Sequence, residues 1–256
     1  MKIITLPFSL KPQMEFPLIR VGSTRDGGYL IDRRLLGRDL LSFGIAGDWQ
    51  FEKDWQAHST NAVRIVAYDG SIGSLKFIGS AIASSFRLHK PALAFRNWVN
   101  VVDYHTFLKS KTSFHCKFIT LNVSDNQHET FENAMQQHGL EHPVFLKIDI
   151  EGGEYELLNA LVDHQKAVAG IAIEFHNPSS NIEAISNFVA KFNLNVANVH
   201  VNNCLPKVKH DHSEPSIEIS FSHFTGTGDY KGSPHPLEQD NDPTCQPISI
   251  RWHDPC

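Results

Sequence analysis

Apolar runs of four to eight residues alternate with amphipathic stretches from residue 40 onward. Leu40–Ile45, Val63–Tyr68, Cys116–Val123, Val144–Ile150 and Val168–Phe175 read as strands. Between them, Gln50–Thr60, Ser74–His89, Asp103–Lys109, Asn126–Gly139, Glu154–His164 and Ile182–Phe192 read as helices. Asp48 is a candidate N-cap for the first helix, and Gly139 closes a later one. Near-continuous apolar strands separated by helices predict an α/β fold, a parallel sheet covered on both faces. Val196–Val201 and Ile217–Phe221 have no long helix between them, which predicts an antiparallel strand at one edge. Residues 1–40 read as a leader rich in Pro, Gly and Arg, and 224–256 as a polar surface tail. With no repeat and no second hydrophobic unit, the expectation is one domain over 1–256.

Composition narrows the classes. Hydrophobic residues are 41% and charged residues 20%, as in globular proteins, and the net charge of -5 implies no bulk attraction to nucleic acid or an anionic membrane. No apolar run is long enough to span a bilayer, and the N-terminus lacks a signal-peptide pattern. Cys116, Cys204, Cys245 and Cys256 form no CxxC pair, which suits a reducing cytoplasm and argues against a zinc ribbon. The 15 histidines, many of them late (His200, His210, His212, His223), read either as a polar surface or as a set of which one or two serve an active site.

Ligands of open α/β sheets bind beyond the carboxyl ends of the strands. The residues found there are Gly44 to Asp48, Asp69-Gly70, Asp149 to Glu154, Glu174 to Asn177, and His200 to Asn203. Glycines after the first strand permit close backbone approach. An acidic residue ending the second strand, Asp69, suits a ribose diol. The spacing Gly44-x-x-Gly47 lacks the middle glycine of G-x-G-x-x-G, which tilts the choice from NAD toward a cofactor without a diphosphate. A nucleotide-sugar or NAD enzyme on the same sheet is the first alternative, and a non-catalytic scaffold with a vestigial pocket is the second.

Arg20-x-Gly22 with Asp26-Gly27-Gly28-Tyr29, SFGIAGDWQFEKDW, Tyr68-Asp69, LKIDIEGGEYELL and AIEFH occur in this order. Together they resemble the FkbM-type methyltransferases. The resemblance implies a Rossmann-like methyltransferase fold, S-adenosylmethionine as cofactor and O-methylation of a sugar or related small metabolite. Carried over by position, Phe43, Gly44 and Asp48 would line the methionine end. Glu52 would reach the same pocket or be an exposed helix charge. Asp69, with Gly70 beside it, would hold the ribose. Asn122 would flank the adenine or serve a turn, and Asp149 would stand between cofactor and acceptor. Glu151 and Glu154 open the next helix, where its dipole also favours carboxylates.

A hydroxyl must lose its proton as it attacks, so a base or an acidifying metal is required. His176 and His200 are the candidate bases, with Asp149 and Glu151 as carboxylates. Asp149, Glu174 and His200 are the candidate ligands for a divalent ion such as magnesium or manganese. Arg20, Arg25, Arg33, Arg34 and Arg38 would either clamp an anionic acceptor or form a solvated helix near Asp32 and Asp39.

Overall fold

The computed structural model describes residues 2–85, 91–109, 111–122, 124–203 and 214–253. His210, His212, Cys204 and Cys256 lie outside them. Seven strands make the central sheet: β1 (Leu40–Phe43), β2 (Ile65–Tyr68), β3 (Ser113–His115), β4 (Val144–Ile148), β5 (Val168–Phe175), β6 (Asn195–Val201) and β7 (Ile217–Ser222). Their order across the sheet is β6-β7-β5-β4-β1-β2-β3. The helices are α1 (Gln50–His58), α2 (Ser74–Ser85), α3 (Pro91–Asp103), α4 (Phe131–Gln136), α5 (Glu154–Asp163) and α6 (Pro178–Lys191).

Every residue of β4 and β5 is buried, as apolar strands covered on both faces should be. Alternation sorts their side chains between two cores. Leu41, Phe43, Leu146 and Ile148 pack with Leu157, Leu161 and Phe188 on one face. Leu40 and Phe145 pack with Phe51 and Trp55 of α1 on the other. Trp55 and Phe145 rings lie 4.4 Å apart. Lys147 shares the Phe145 face by the two-residue period of a strand, so its charge is committed to the interior.

Three expectations change. The reversed strand is not at the edge: β7 is antiparallel to both β5 and β6 and sits between them. Without a crossover helix after β6, the chain returns in the opposite direction and fills the gap beside β5. The third strand of the sheet is the short, half-buried Ser113–His115 rather than 116–123. The more apolar Phe118–Thr120 instead pairs with His128–Thr130 as a separate ribbon, which shortens the helix expected from Asn126.

The leader and tail are structured. Lys2–Pro7 pairs in parallel with Ile248–His253. Leu18–Gly22 and Gly28–Asp32 form an antiparallel hairpin whose second strand is wholly buried. Of the arginine cluster, Arg33 and Arg34 lie in a short 3-10 helix (Arg33–Leu35) beside Asp32, with Arg34 paired to Asp32 at 2.7 Å, as the helix alternative had it, whereas Arg20 lies in the hairpin, its Nη2 donating to the Ser23 and Arg25 carbonyls at 3.0 and 3.1 Å. Among the described residues no helix is long and apolar enough to cross a membrane.

Candidate functional site

Strands β1 and β4 are neighbours, but the chain leaves them toward opposite edges of the sheet. That divergence opens a crevice at their carboxyl ends. Gly44 and Asp149 face each other there. Gly44 has φ +74°, and a Cβ on it would fall 1.6 Å from the Asp149 carbonyl oxygen, so only glycine fits. The buried Lys147 ammonium donates to the Gly44 carbonyl at 2.5 Å and lies 3.6 Å from Asp149 Oδ2. One side chain thus fixes both lips of the crevice.

The cleft beyond these lips is open to solvent and has a cavity volume of about 230 Å³. Gly44, Ala46, Asp69, Gly70, Ser71, Phe118, Ile119, Asp149, Ile150 and Glu151 line it. Phe118 lies against Gly70, where an added Cβ would meet the ring at 2.4 Å. Asp69 organises the glycine loop. Its Oδ2 accepts from the Ile45 and Ala46 amides at 2.9 and 2.7 Å, and its Oδ1 from the Ser71 amide and hydroxyl at 2.7 and 2.6 Å. Both oxygens are thereby filled, so a diol at this carboxylate must take the place of a hydroxyl partner such as Ser71 Oγ.

Other expected cofactor residues lie away from the cleft lining. Phe43 turns its ring into the core against Tyr68 and Phe131. Glu52 is buried on the α1 face and accepts from Ser42 Oγ at 2.6 Å, so it is not an exposed helix charge, and it is not part of this cleft's lining. Asp48 is exposed and accepts from the Gln50 amide at 2.9 Å, but it stands one residue before the cap position, which Trp49 holds. Asn122 is exposed and absent from the lining.

The acid–base groups gather around His176. Its Nε2 lies 3.5 Å from Glu151 Oε2 and 3.9 Å from Asp149 Oδ1, while Nδ1 is 3.2 Å from Glu154 Oε1. Glu154 is fully buried and also accepts from the Gly152 and His176 amides at 2.8 and 2.7 Å, tying the β4 loop to the end of β5. Glu151 (φ +52°) and Asn177 (φ +50°) occupy the left-handed region without being glycine. Such strain collects at sites the surrounding structure over-determines. Burial opposes a charge on His176, but the Glu154 bond and the nearby carboxylates outweigh it and raise its pKa to about 9. Burial and repulsion by Asp149 and Glu218 push Glu174 up to about 8. Of the groups that favour the imidazolium, Glu154 comes first, in direct contact with Nδ1. The Tyr29 hydroxyl, 3.3 Å from Asp149 Oδ2 and 3.1 Å from Glu174 Oε2, ties the N-terminal hairpin to this cluster.

Register explains where His200 goes. Ile148 pairs with Ile173, Glu174 with Glu218, and Glu218 with His200, so Asp149, Glu174, Glu218 and His200 stand in one row across β4, β5, β7 and β6. Asp149 and His200 are three strands apart, about 14 Å between backbones at ~4.8 Å per strand. The set Asp149, Glu174 and His200 therefore cannot share one ion. The insertion of β7 is what separates them. His200 instead meets Asn241 at 2.7 Å and Glu238 at 3.5 Å. Among the described residues, the groups whose ligand atoms lie within 4.8 Å of one another are Asp149, Glu151 and His176, and Asp26, Glu174 and Glu218.

Residues 103–204 match the family model of the methyltransferase FkbM domain. The FkbM match contains Asp149, Glu151, Glu154, His176 and His200, and Gly44 and Asp69 precede it. It supports an S-adenosylmethionine-dependent methyltransferase on a Rossmann-like α/β fold, the class the motifs predicted. Among solved structures, the human methyltransferase 10 domain containing protein is 10% identical, covering 73% of this chain and 72% of that one at TM-score 0.41. The precorrin-6y C5,15-methyltransferase from Geobacter metallireducens GS-15 is 13% identical, covering 74% and 83% at TM-score 0.39. No curated protein matches the chain.

Tyr29, Lys147, Ser71, Phe118, Ile119 and Ile150 were missed by sequence reasoning. For Tyr29 the D-G-G-Y motif held a usable signal. Lys147 stood out as the one charge inside the apolar run VFLKI.

Proposed function

We propose that the chain acts as one methyltransferase unit that transfers the methyl group of S-adenosylmethionine to a hydroxyl of a sugar or related polyol. The observation that carries this reading is the His176 cluster beside the cleft: an imidazole whose Nδ1 is held by a buried carboxylate and whose Nε2 faces Asp149 and Glu151. The cofactor supplies an activated methyl on a sulfonium. The chain's residues then have to bind, orient and remove one proton. Gly44 lets backbone approach the ligand, Phe118, Ile119 and Ile150 offer an apolar wall for a flat base, and Asp69 takes the ribose diol in exchange for a Ser71 contact. His176 Nε2, once deprotonated, accepts the acceptor's hydroxyl proton, and Asp149 orients that hydroxyl. The carboxylates of Asp149 and Glu151 accept hydrogen bonds from hydroxyls and repel anions, so a neutral polyol fits better than an anionic acceptor.

The test is transfer of labelled methyl from S-adenosylmethionine to a panel of mono- and oligosaccharides, with RNA and NAD-linked substrates as contrasting arms. Methyl ether on a sugar supports the reading; methylated RNA or no transfer to any hydroxyl overturns it. Asp149, Glu151 and His176 could also hold a divalent ion. Loss of turnover in EDTA, restored by magnesium or manganese, would replace the direct base with a metal-assisted one.

Asp69 carries a prediction of its own. Asp69→Ala weakens binding of S-adenosylhomocysteine by about 1.5–3 kcal/mol in calorimetry, through lost charge-assisted bonds and a loosened Gly44 loop. Asp69→Asn keeps one acceptor oxygen and falls between. Unchanged affinity in both variants removes Asp69 from the cofactor site.

A further inference from the structure

The hairpin of α2 and α3 leaves an apolar face uncovered. Phe95, Trp98, Val99 and Val102 recur at the spacing of one helix face and are 74%, 45%, 46% and 58% exposed, with Ile82 of α2 at 47%. These are most of the exposed large apolar side chains among the described residues. Trp98 is fixed in place, its indole N–H donating to Ser85 Oγ at 3.1 Å. A contiguous apolar patch of this kind marks an interaction surface.

The charge of this segment is opposite to that of the whole. Residues 71–102 contain Lys76, Arg87, Lys90 and Arg96 and no Asp or Glu, in a chain of net charge -5. The bulk charge therefore hides a local basic segment. We propose that the α2–α3 hairpin is a peripheral membrane anchor, seating the Phe95–Trp98–Val102 face in the interface of a bilayer that carries anionic headgroups. An aromatic and aliphatic face within a purely basic segment is the composition of helices that lie in a membrane interface. A second copy of the chain suits the face less well, because a two-fold contact sets the same basic segment against itself. The cleft residues Asp69, Gly70 and Ser71 lead straight into α2, so the anchor joins the proposed cofactor site without contributing to it.

This inference goes beyond the methyltransferase reading, and its test needs no methyl transfer. The full chain is floated with phosphatidylcholine vesicles and with vesicles also containing phosphatidylglycerol. At low salt it should float with the anionic vesicles only and be released as salt rises. Trp98 emission should shift to the blue on binding, a shift lost in Trp98→Phe. The double variant Phe95→Glu with Val102→Glu should bind at least ~10-fold less while its melting temperature and S-adenosylhomocysteine affinity stay unchanged. No flotation at low salt overturns the proposal, as does full binding by the double variant. A dimer in solution that the double variant dissociates also overturns it, and makes a second copy the occupant of the face.

Discussion

Lys147→Met lowers the free energy of unfolding by about 3–5 kcal/mol in urea titration at neutral pH. The side chain is 4% exposed and its ammonium joins the Gly44 carbonyl, Asp149 and the buried Glu52 region. Methionine keeps the volume and removes the charge, so Glu52 keeps the Ser42 hydroxyl bond but loses its main opposing charge, with one oxygen unpartnered. Burial already raises the Glu52 pKa, and Lys147 is the main force opposing that rise. A carboxylate whose folded pKa is raised destabilises the fold above that pKa and ceases to do so once protonated. The deficit of the variant relative to the natural chain therefore shrinks as pH falls and Glu52 takes up its proton. A deficit that does not change with pH would assign Lys147 a packing role alone. Because Lys147 also holds both lips of the crevice, cofactor affinity in the surviving folded fraction should fall as well.

The second large effect is kinetic. With the true acceptor, His176→Ala should reduce kcat about 10²–10⁴-fold while S-adenosylhomocysteine affinity stays near normal. His176 is cationic at neutral pH in the free protein, so a base mechanism requires that proton to leave. The rate constant kcat/KM should rise with pH and level off above about 9. In His176→Ala the profile should be flat over the same range. Glu154→Gln, which removes a charge that sustains the imidazolium, should move the rise to lower pH. Stability carries the opposite sign: a raised histidine pKa adds stability that is complete below about 6.5 and disappears as pH climbs through about 9. A His176→Ala variant with full turnover would leave Asp149 and positioning as the chemistry.

How far the sequence could be read depended on how strongly each segment spoke locally. Val168–Phe175 and the helix from Glu154 match their expected bounds within a residue, because uninterrupted burial and a clear apolar stripe mark them. Ser113–His115 was missed because three half-buried residues leave no pattern, while the more apolar ribbon beyond them drew the assignment. The position of β7 was not legible either. Antiparallel pairing follows from the missing crossover helix, but which gap the strand fills is decided by tertiary packing. That insertion separated His200 from Asp149, so the expected three-residue metal set failed for a topological reason. Gly44, Asp69, Gly70 and Asp149 line the cleft because strand ends are where the topology must place them. Phe43 and Glu52 do not, because side-chain direction alternates along a strand and turns with each helical step. Tyr29 reaches the cluster from a hairpin inside the stretch that composition marks only as a Pro-, Gly- and Arg-rich leader.

The parallel pairing of Lys2–Pro7 with Ile248–His253 has a consequence for folding. Two segments far apart in the sequence are each other's only ladder partners among the described residues. Leu6 and Leu10 belong to the same core as Leu146 and Phe188, so that core stays open along one side until the two segments meet. Until then each carries an unpaired edge, and closure is a long-range step of high contact order. Deleting 248–253 should leave a chain that keeps its central sheet yet exposes the Lys2–Pro7 edge to other copies, making the truncated protein one that aggregates before it unfolds.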